Sequence, residues 1–282
     1  MLISRNAGSQ LRACLESARF ADEMVVVDSG SDDDTVQIAA SFGARVIAQP
    51  WLGFGPQKQF AVQQARHDWV LCLDADERVT PALLRSIEAA LRLERTQPQA
   101  SAYRMARCNR FLGRGLRHGE GYPDWNVRLF DRRRARWSDD VVHERVICEG
   151  PVATLAGDLA HESAESLDAY VTKQNRYTTL QAETLHRRGK KGSIAKLVLS
   201  PIVRFVRFYF IRLGFLDGAA GLIHIVIGCG ASFMKQAKLL ALERSARAVA
   251  PARPAATAQA VEPGDLTEPR ERTASANDSA PQ

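Results

Sequence analysis

Two aspartates separated by one residue, Asp74-Ala75-Asp76, follow directly on the apolar run WVLCL (Trp69 to Leu73), and Glu77 comes next. A buried strand that ends in acids delivers them to the carboxyl edge of an open α/β sheet, where ligands bind. Two carboxylates so placed can face a metal-diphosphate. A hard divalent cation such as Mg²⁺ or Mn²⁺ takes oxygen ligands from a few protein groups, from phosphates and from water. It neutralises charge on a departing nucleoside diphosphate. Taken alone, an acid pair reads more readily as a solvated turn at a helix start. The strand context favours the ligand role, because a second apolar run, MVVVD (Met24 to Asp28), ends in the same way. Asp28 is suited there to hydrogen-bond a base or ribose edge, while Asp32 and Asp33 are closer candidates for capping the helix expected at Thr35.

Other nucleotide chemistries lose their main support, since neither GxxxxGK[ST] nor a strand-embedded GxGxxG occurs. The elements that must hold the acids are legible as alternating strands and helices. SGSDDDT supplies turn and capping residues, VQIAASFG reads as a short helix closed by Gly43, and ARVIA as the next strand. A helical pattern over Gln57 to Ala65 leads into WVLCL. Thr80 and Pro81 look like the cap and first position of a helix running to about Arg95. This alternation predicts a parallel, Rossmann-like sheet. From Ala102 to about Ile147 shorter alternating stretches (AYRMARC, NVRLF, ERVIC) predict antiparallel or mixed strands added to one side. A helix is expected from about Ser166 to Arg188.

A chain of 282 residues with 45% hydrophobic residues can bury a sizeable core. Its five cysteines are widely spaced and form no CxxC pair, so neither a disulfide framework nor a cysteine zinc site is expected. The opening MLISRNAGSQ does not read as a signal peptide, which predicts a cytosolic folded part. From Thr184 to Leu216 there is no acidic residue, and Arg187, Arg188, Lys190, Lys191, Lys196, Arg204, Arg207 and Arg212 alternate with large apolar side chains. Basic plus apolar predicts an anionic membrane surface as partner. No nucleic-acid-binding motif accompanies the charge, so a nucleic-acid partner is not expected. Gly214 to Met234 is apolar but interrupted by Asp217 and His224, and a monotopic or re-entrant hairpin with Ile194 to Leu213 is the preferred reading over a span. From about Ala246 the chain turns rich in Ala, Pro, Thr, Ser and Glu, the composition of a disordered tail.

The runs VVVDSGSDDDTVQIA, QPWLGFGPQKQFAVQQARHDWVLCLDADERVTPAL and WSDDVVHERV resemble the family 2 glycosyltransferases of GT-A fold. More narrowly, they are similar to bacterial lipopolysaccharide core glycosyltransferases of the β-glucosyltransferase type. The likeness covers roughly residues 1 to 240 and includes GFLDGAAGL. It implies a nucleotide-sugar-binding and catalytic domain over 1–165; the composition adds a membrane-associated helical region over 166–245 and a tail over 246–282 that has no counterpart in the family. It also implies an inverting hexosyl transfer, with UDP-glucose as donor and a lipid-linked core saccharide as acceptor, at the cytoplasmic face of a bacterial inner membrane. By position, Asp28 would contact the base with Asn6 near it, and Lys58 would lie beside the diphosphate. Asp74 would face ribose and metal, Asp76 would ligate the metal directly, and His161 would be a further ligand. Inversion by a single displacement requires a carboxylate that takes the acceptor's proton. Glu144 matches the family's acid, Asp140 is its chief rival, Asp124 is a weaker one, and His143 would orient or pack. One departure falls at Asn6, which is followed by Ala7 where the family shows Asn-Glu.

Overall fold

A computed structural model describes residues 1–140, 144–162 and 166–249. His143, and the segment read as a tail from residue 250 onward, lie outside them.

The chain opens with strand β1 (Leu2–Ser4), helix α1 (Gly8–Ser17), β2 (Val25–Asp28), α2 (Thr35–Ser41) and β3 (Arg45–Ala48). The three strands pair in parallel in the order β1-β2-β3. All four residues of β2 are buried, as its unbroken apolar run requires. Helix α3 (Phe54–Gln64) begins three residues before the expected Gln57, because Gly55 lets its first turn settle on the chain ahead. A Cβ at Gly55 would overlap the carbonyl oxygen of Ser138.

Beyond the third strand the pairing is mixed, with β6 (Ala102–Phe111) and β11 (Val152–Glu162) still parallel to each other. β4 (Trp69–Leu71) runs antiparallel to β8 (Asp124–Asp131), and a short strand β5 (Glu77–Val79) runs antiparallel to β11 (Val152–Glu162). Helix α4 (Pro81–Thr96) follows, capped by the Thr80 hydroxyl, which accepts from the Leu83 amide at 3.3 Å. Strand β6 (Ala102–Phe111) lies between β8 and β11, giving the order β4-β8-β6-β11-β5, with β7 (Arg114–Gly115) folded onto β6. The two sheets meet at one parallel bridge between Leu2 and Leu73, reinforced by the Leu73 amide donating to Met1 at 3.1 Å. The result is a continuous curled mixed sheet. β9 (Ala135–Trp137) and β10 (Val146–Cys148) form a separate hairpin around the segment carrying Glu144. The main core lies between the sheet and α1, α2 and α4, with Leu11, Leu15, Leu83, Met105 and Leu159 fully enclosed.

The remaining helices are α5 (Leu167–Arg187), α6 (Ile194–Phe205), continued by a π-helical stretch Val206–Ile211, and α7 (Gly218–Val249). α6 turns back on α7 through the 3₁₀ turn Gly214–Asp217, so the expected helical hairpin is present. α7 is one unbroken helix, and Gly214–Ala246 is long and apolar enough to cross a bilayer by length and composition. The two polar residues that interrupt it face the sheet domain. Asp217 is buried and accepts from the His118 amide at 2.8 Å, and His224 lies against the rings of Phe111 and Tyr170. On the opposite side α6 buries none of its residues, and Ile194, Val203, Phe210 and Ile211 are all more than half exposed.

Candidate active site

At the carboxyl edge of the parallel strands the loops after β1 and β2 are tied into one unit. Asp28 Oδ1 accepts from the hydroxyls of Ser4 (3.1 Å) and Ser31 (2.5 Å), and Oδ2 from the amides of Gly30 (3.0 Å) and Ser31 (2.8 Å). The carboxylate predicted to meet a base is thus engaged inside the loop. Asn6 adopts a left-handed φ of 50° and bridges the same loops, its Oδ1 accepting from the Asp32 amide at 3.0 Å. The N-cap position of α2 is Asp34, without a side-chain cap bond, rather than the expected Asp32 or Asp33; Asp33 instead accepts from the Thr35 amide and from the Gly8 amide at the start of α1, tying the two helix starts together.

Next to this rim lies a cleft of about 670 Å³. Arg5, Asn6, Trp51, Phe54, Lys58, Asp74, Asp76, Glu144, His161 and Lys173 contribute to its wall. The structure therefore brings together six of the eight principal predicted site residues, Asn6, Lys58, Asp74, Asp76, Glu144 and His161; of the other two, Asp28 lies behind the rim, and Asp140 is exposed on the segment leading to Glu144.

The acids after β4 have different surroundings. Asp74 is clamped, with Oδ1 3.0 Å from Lys58 Nζ and Oδ2 2.6 Å from Arg128 Nη2. Burial alone would raise its pKa, but the Arg128 and Lys58 charges hold the carboxyl well below the usual range. The stabilisation from this pairing is therefore present above the ordinary carboxylate pKa and is lost only as acidity carries Asp74 through its depressed value. Glu77, fully buried, takes Arg128 at 2.6 Å and the Asp74 amide at 3.0 Å. Burial pushes its pKa up, against the attraction of Arg128. Arg128 on β8 is thus the buried counter-charge that sets the turn's shape.

Asp76 is turned the other way. Its Oδ2 lies 3.1 Å from His161 Nε2, while its Oδ1 is buried with no hydrogen-bond partner among the described residues. A buried carboxylate oxygen without a donor is costly unless a cation or water satisfies it. Carboxylate oxygen beside imidazole nitrogen is also a donor set that divalent cations accept. The pair fits such an ion, with phosphate and water completing the shell. Among the described residues no group of three His, Cys, Asp or Glu converges, so Asp74 does not add a third ligand as placed here.

Lys58 Nζ sits between Asp74 and Glu144, 3.0 Å from each, and 4.7 Å from the Trp137 ring centroid. It is buried and engaged on three sides. The exposed cations of the cleft are Arg5 and Lys173, and neither stood out in the sequence. Trp51 and Phe54, edge to face at 4.9 Å and about half exposed, form an aromatic wall that was missed as well. Two large aromatics flanking a glycine, in a segment otherwise without apolar periodicity, were the available signal.

A parallel β-α-β unit extended by a mixed sheet thus carries the paired Asp76 and His161 in the wall of the cleft. The chain belongs to glycosyl transferase family 2, whose family model matches residues 1–149. It is 32% identical over 260 residues to the uncharacterized glycosyltransferase RT0209 of Rickettsia typhi, covering 88% of each chain. It is 31% identical over 245 residues to the lipopolysaccharide core biosynthesis glycosyltransferase LpsC of Rhizobium meliloti, covering 84% of this chain and 90% of that one. Among solved structures, S. aureus TarS 1-349 in complex with UDP aligns at a TM-score of 0.42 and 15% identity, over 88% of this chain and 90% of that one.

Proposed function

We propose that this glycosyltransferase moves a hexose, glucose from UDP-glucose, to an inner-core sugar of lipopolysaccharide whose lipid lies in the cytoplasmic leaflet. The observation that carries the reading is the unpartnered buried oxygen of Asp76 beside His161, in the same cleft as Glu144. Likeness to a lipopolysaccharide core enzyme over most of both chains supports the acceptor class.

Asp76 and His161 would hold the divalent cation, which when bound offsets the charge of the leaving diphosphate. Arg5 and Lys173 are placed to meet phosphate oxygens. Trp51 and Phe54 offer a flat face to a base or sugar ring. Asp28 shapes the base-side loop from within, and Asn6 presents that loop to the cleft. Glu144 takes the acceptor hydroxyl's proton as the oxygen attacks the anomeric carbon. Lys58, bonded to both Glu144 and Asp74, fixes the base relative to the metal-side turn. Asp140, outside the cleft wall, is the weaker candidate for the base.

The exposed apolar side of α6 and α7, together with the Arg and Lys residues beside it, is suited to lie among lipid headgroups with the cleft above the surface. Each basic residue near an anionic surface adds about 1 kcal/mol of attraction, which salt screens.

Full-length protein mixed with anionic vesicles carrying either a core saccharide lipid or a polyprenyl phosphate tests both parts. Sedimentation with the vesicles at low salt and label passing from UDP-glucose to the saccharide are expected. Protein left in the supernatant removes the membrane reading. Label on the polyprenyl phosphate alone replaces the acceptor with a lipid phosphate, a reaction that has no use for a deprotonating base.

A further inference from the structure

His161 Nδ1 lies 2.7 Å from Asn109 Oδ1, and its Nε2 lies 3.1 Å from Asp76 Oδ2. Both neighbours are hydrogen-bond acceptors, whereas a neutral imidazole carries a single N–H. If Nδ1–H donates to Asn109, the nearer of the two, the Nε2 lone pair is left facing a carboxylate. Two acceptors set against each other repel unless a metal cation or a second ring proton joins them. Asp76 Oδ1, buried and unpartnered, adds a third acceptor atom at the same spot.

Asn109 owes its place to strand register. It is half-buried on β6, directly across from His161 on β11, so the two side chains leave the same face of the sheet. The neighbouring pair, Cys108 and Ala160, points to the opposite face. Asn109 does not line the cleft and would touch neither donor nor acceptor.

We propose that Asn109 is a positioning residue. Its carboxamide oxygen holds the His161 proton on Nδ1, so that Nε2 and the Asp76 carboxylate are presented together as a preformed divalent-cation site. The inference rests on the assignment of Asp76 and His161 as metal ligands. A hydrogen bond to the far nitrogen fixes both tautomer and ring orientation of a ligating histidine, and its loss typically weakens metal binding about 10- to 100-fold. An Asn109 amide turned the other way would donate to Nδ1, place the proton on Nε2 and oppose metal binding.

Mn²⁺ titration by electron paramagnetic resonance on the full chain, without donor, separates these cases. Asn109→Leu removes the acceptor and is expected to weaken Mn²⁺ by about 10- to 100-fold. Asn109→Asp can only accept, and is expected to bind Mn²⁺ at least as tightly as the parent. Parent-like affinity in folded Asn109→Leu overturns the proposal. If Asn109→Leu does not fold, nitrogen-15 histidine spectra of the metal-free parent decide. Of the two neutral tautomers the one with its proton on Nδ1 is expected, and the Nε2 tautomer overturns the proposal. Asp76→Asn keeps the two ideas apart. Unchanged Mn²⁺ affinity in that variant removes the metal assignment itself, whereas weakened affinity there with none lost in Asn109→Leu removes only the role of Asn109.

Discussion

Asp76→Ala is expected to lower sugar transfer by about 10³-fold or more while the protein stays folded. The expectation comes from what the carboxylate touches. One of its oxygens has no partner and the other meets only His161, so truncation breaks no internal ion pair of the turn. The fold at this point is held by groups the substitution leaves in place. The Asp76 carbonyl accepts from the Glu162 amide at 3.0 Å, and the Arg128–Asp74–Glu77 cluster lies to the other side. What is lost is a cation ligand, and with it several kcal/mol of stabilisation of the charge that develops on the diphosphate; each 1.4 kcal/mol is about tenfold in rate. Steady-state transfer with saturating Mn²⁺, beside a thermal melt, checks both halves. Near-normal turnover in the folded variant would remove Asp76 from the chemistry.

Glu144→Gln should reduce turnover by about 10²- to 10⁴-fold with donor affinity little changed. Glutamine preserves the side chain's length and still offers Lys58 an amide oxygen in place of the carboxylate at 3.0 Å, so the Lys58 bridge to Asp74 survives. It cannot accept a proton. Asp140→Asn is the matched control, because Asp140 is solvent-exposed and absent from the cleft wall. Should Asp140→Asn lose turnover and Glu144→Gln retain it, the two residues exchange roles.

How much of this was legible in the sequence depends on how local each determinant is. β2 and the start of α4 follow from features within a few residues: an apolar run ending in Asp28, and the Thr80-Pro81 cap. α5 lies within a residue of its predicted bounds for the same reason, with the Ser166 hydroxyl accepting from the Ala169 amide. The pairing of β4 was not legible. WVLCL reads as another parallel strand, and it meets β1 in that sense at the Leu2–Leu73 bridge, yet its partner along β4 is the antiparallel β8, more than fifty residues away, a choice made by tertiary packing. The different fates of Asp74 and Asp76 were hidden likewise, since Arg128 reaches the first from β8 and His161 the second from β11. The placement of Asp217 and His224 was not legible either. In the sequence they read as breaks in an apolar stretch, and here they dock the helix to the sheet domain.

The central claim, cation-assisted transfer of a sugar from a nucleotide, is tested most directly by one continuous assay on the full-length protein with labelled UDP-glucose and a core saccharide acceptor. Transfer is expected with Mn²⁺ or Mg²⁺, should stop on addition of EDTA, and should resume when excess cation is returned. Transfer that continues undiminished under full chelation would contradict the account.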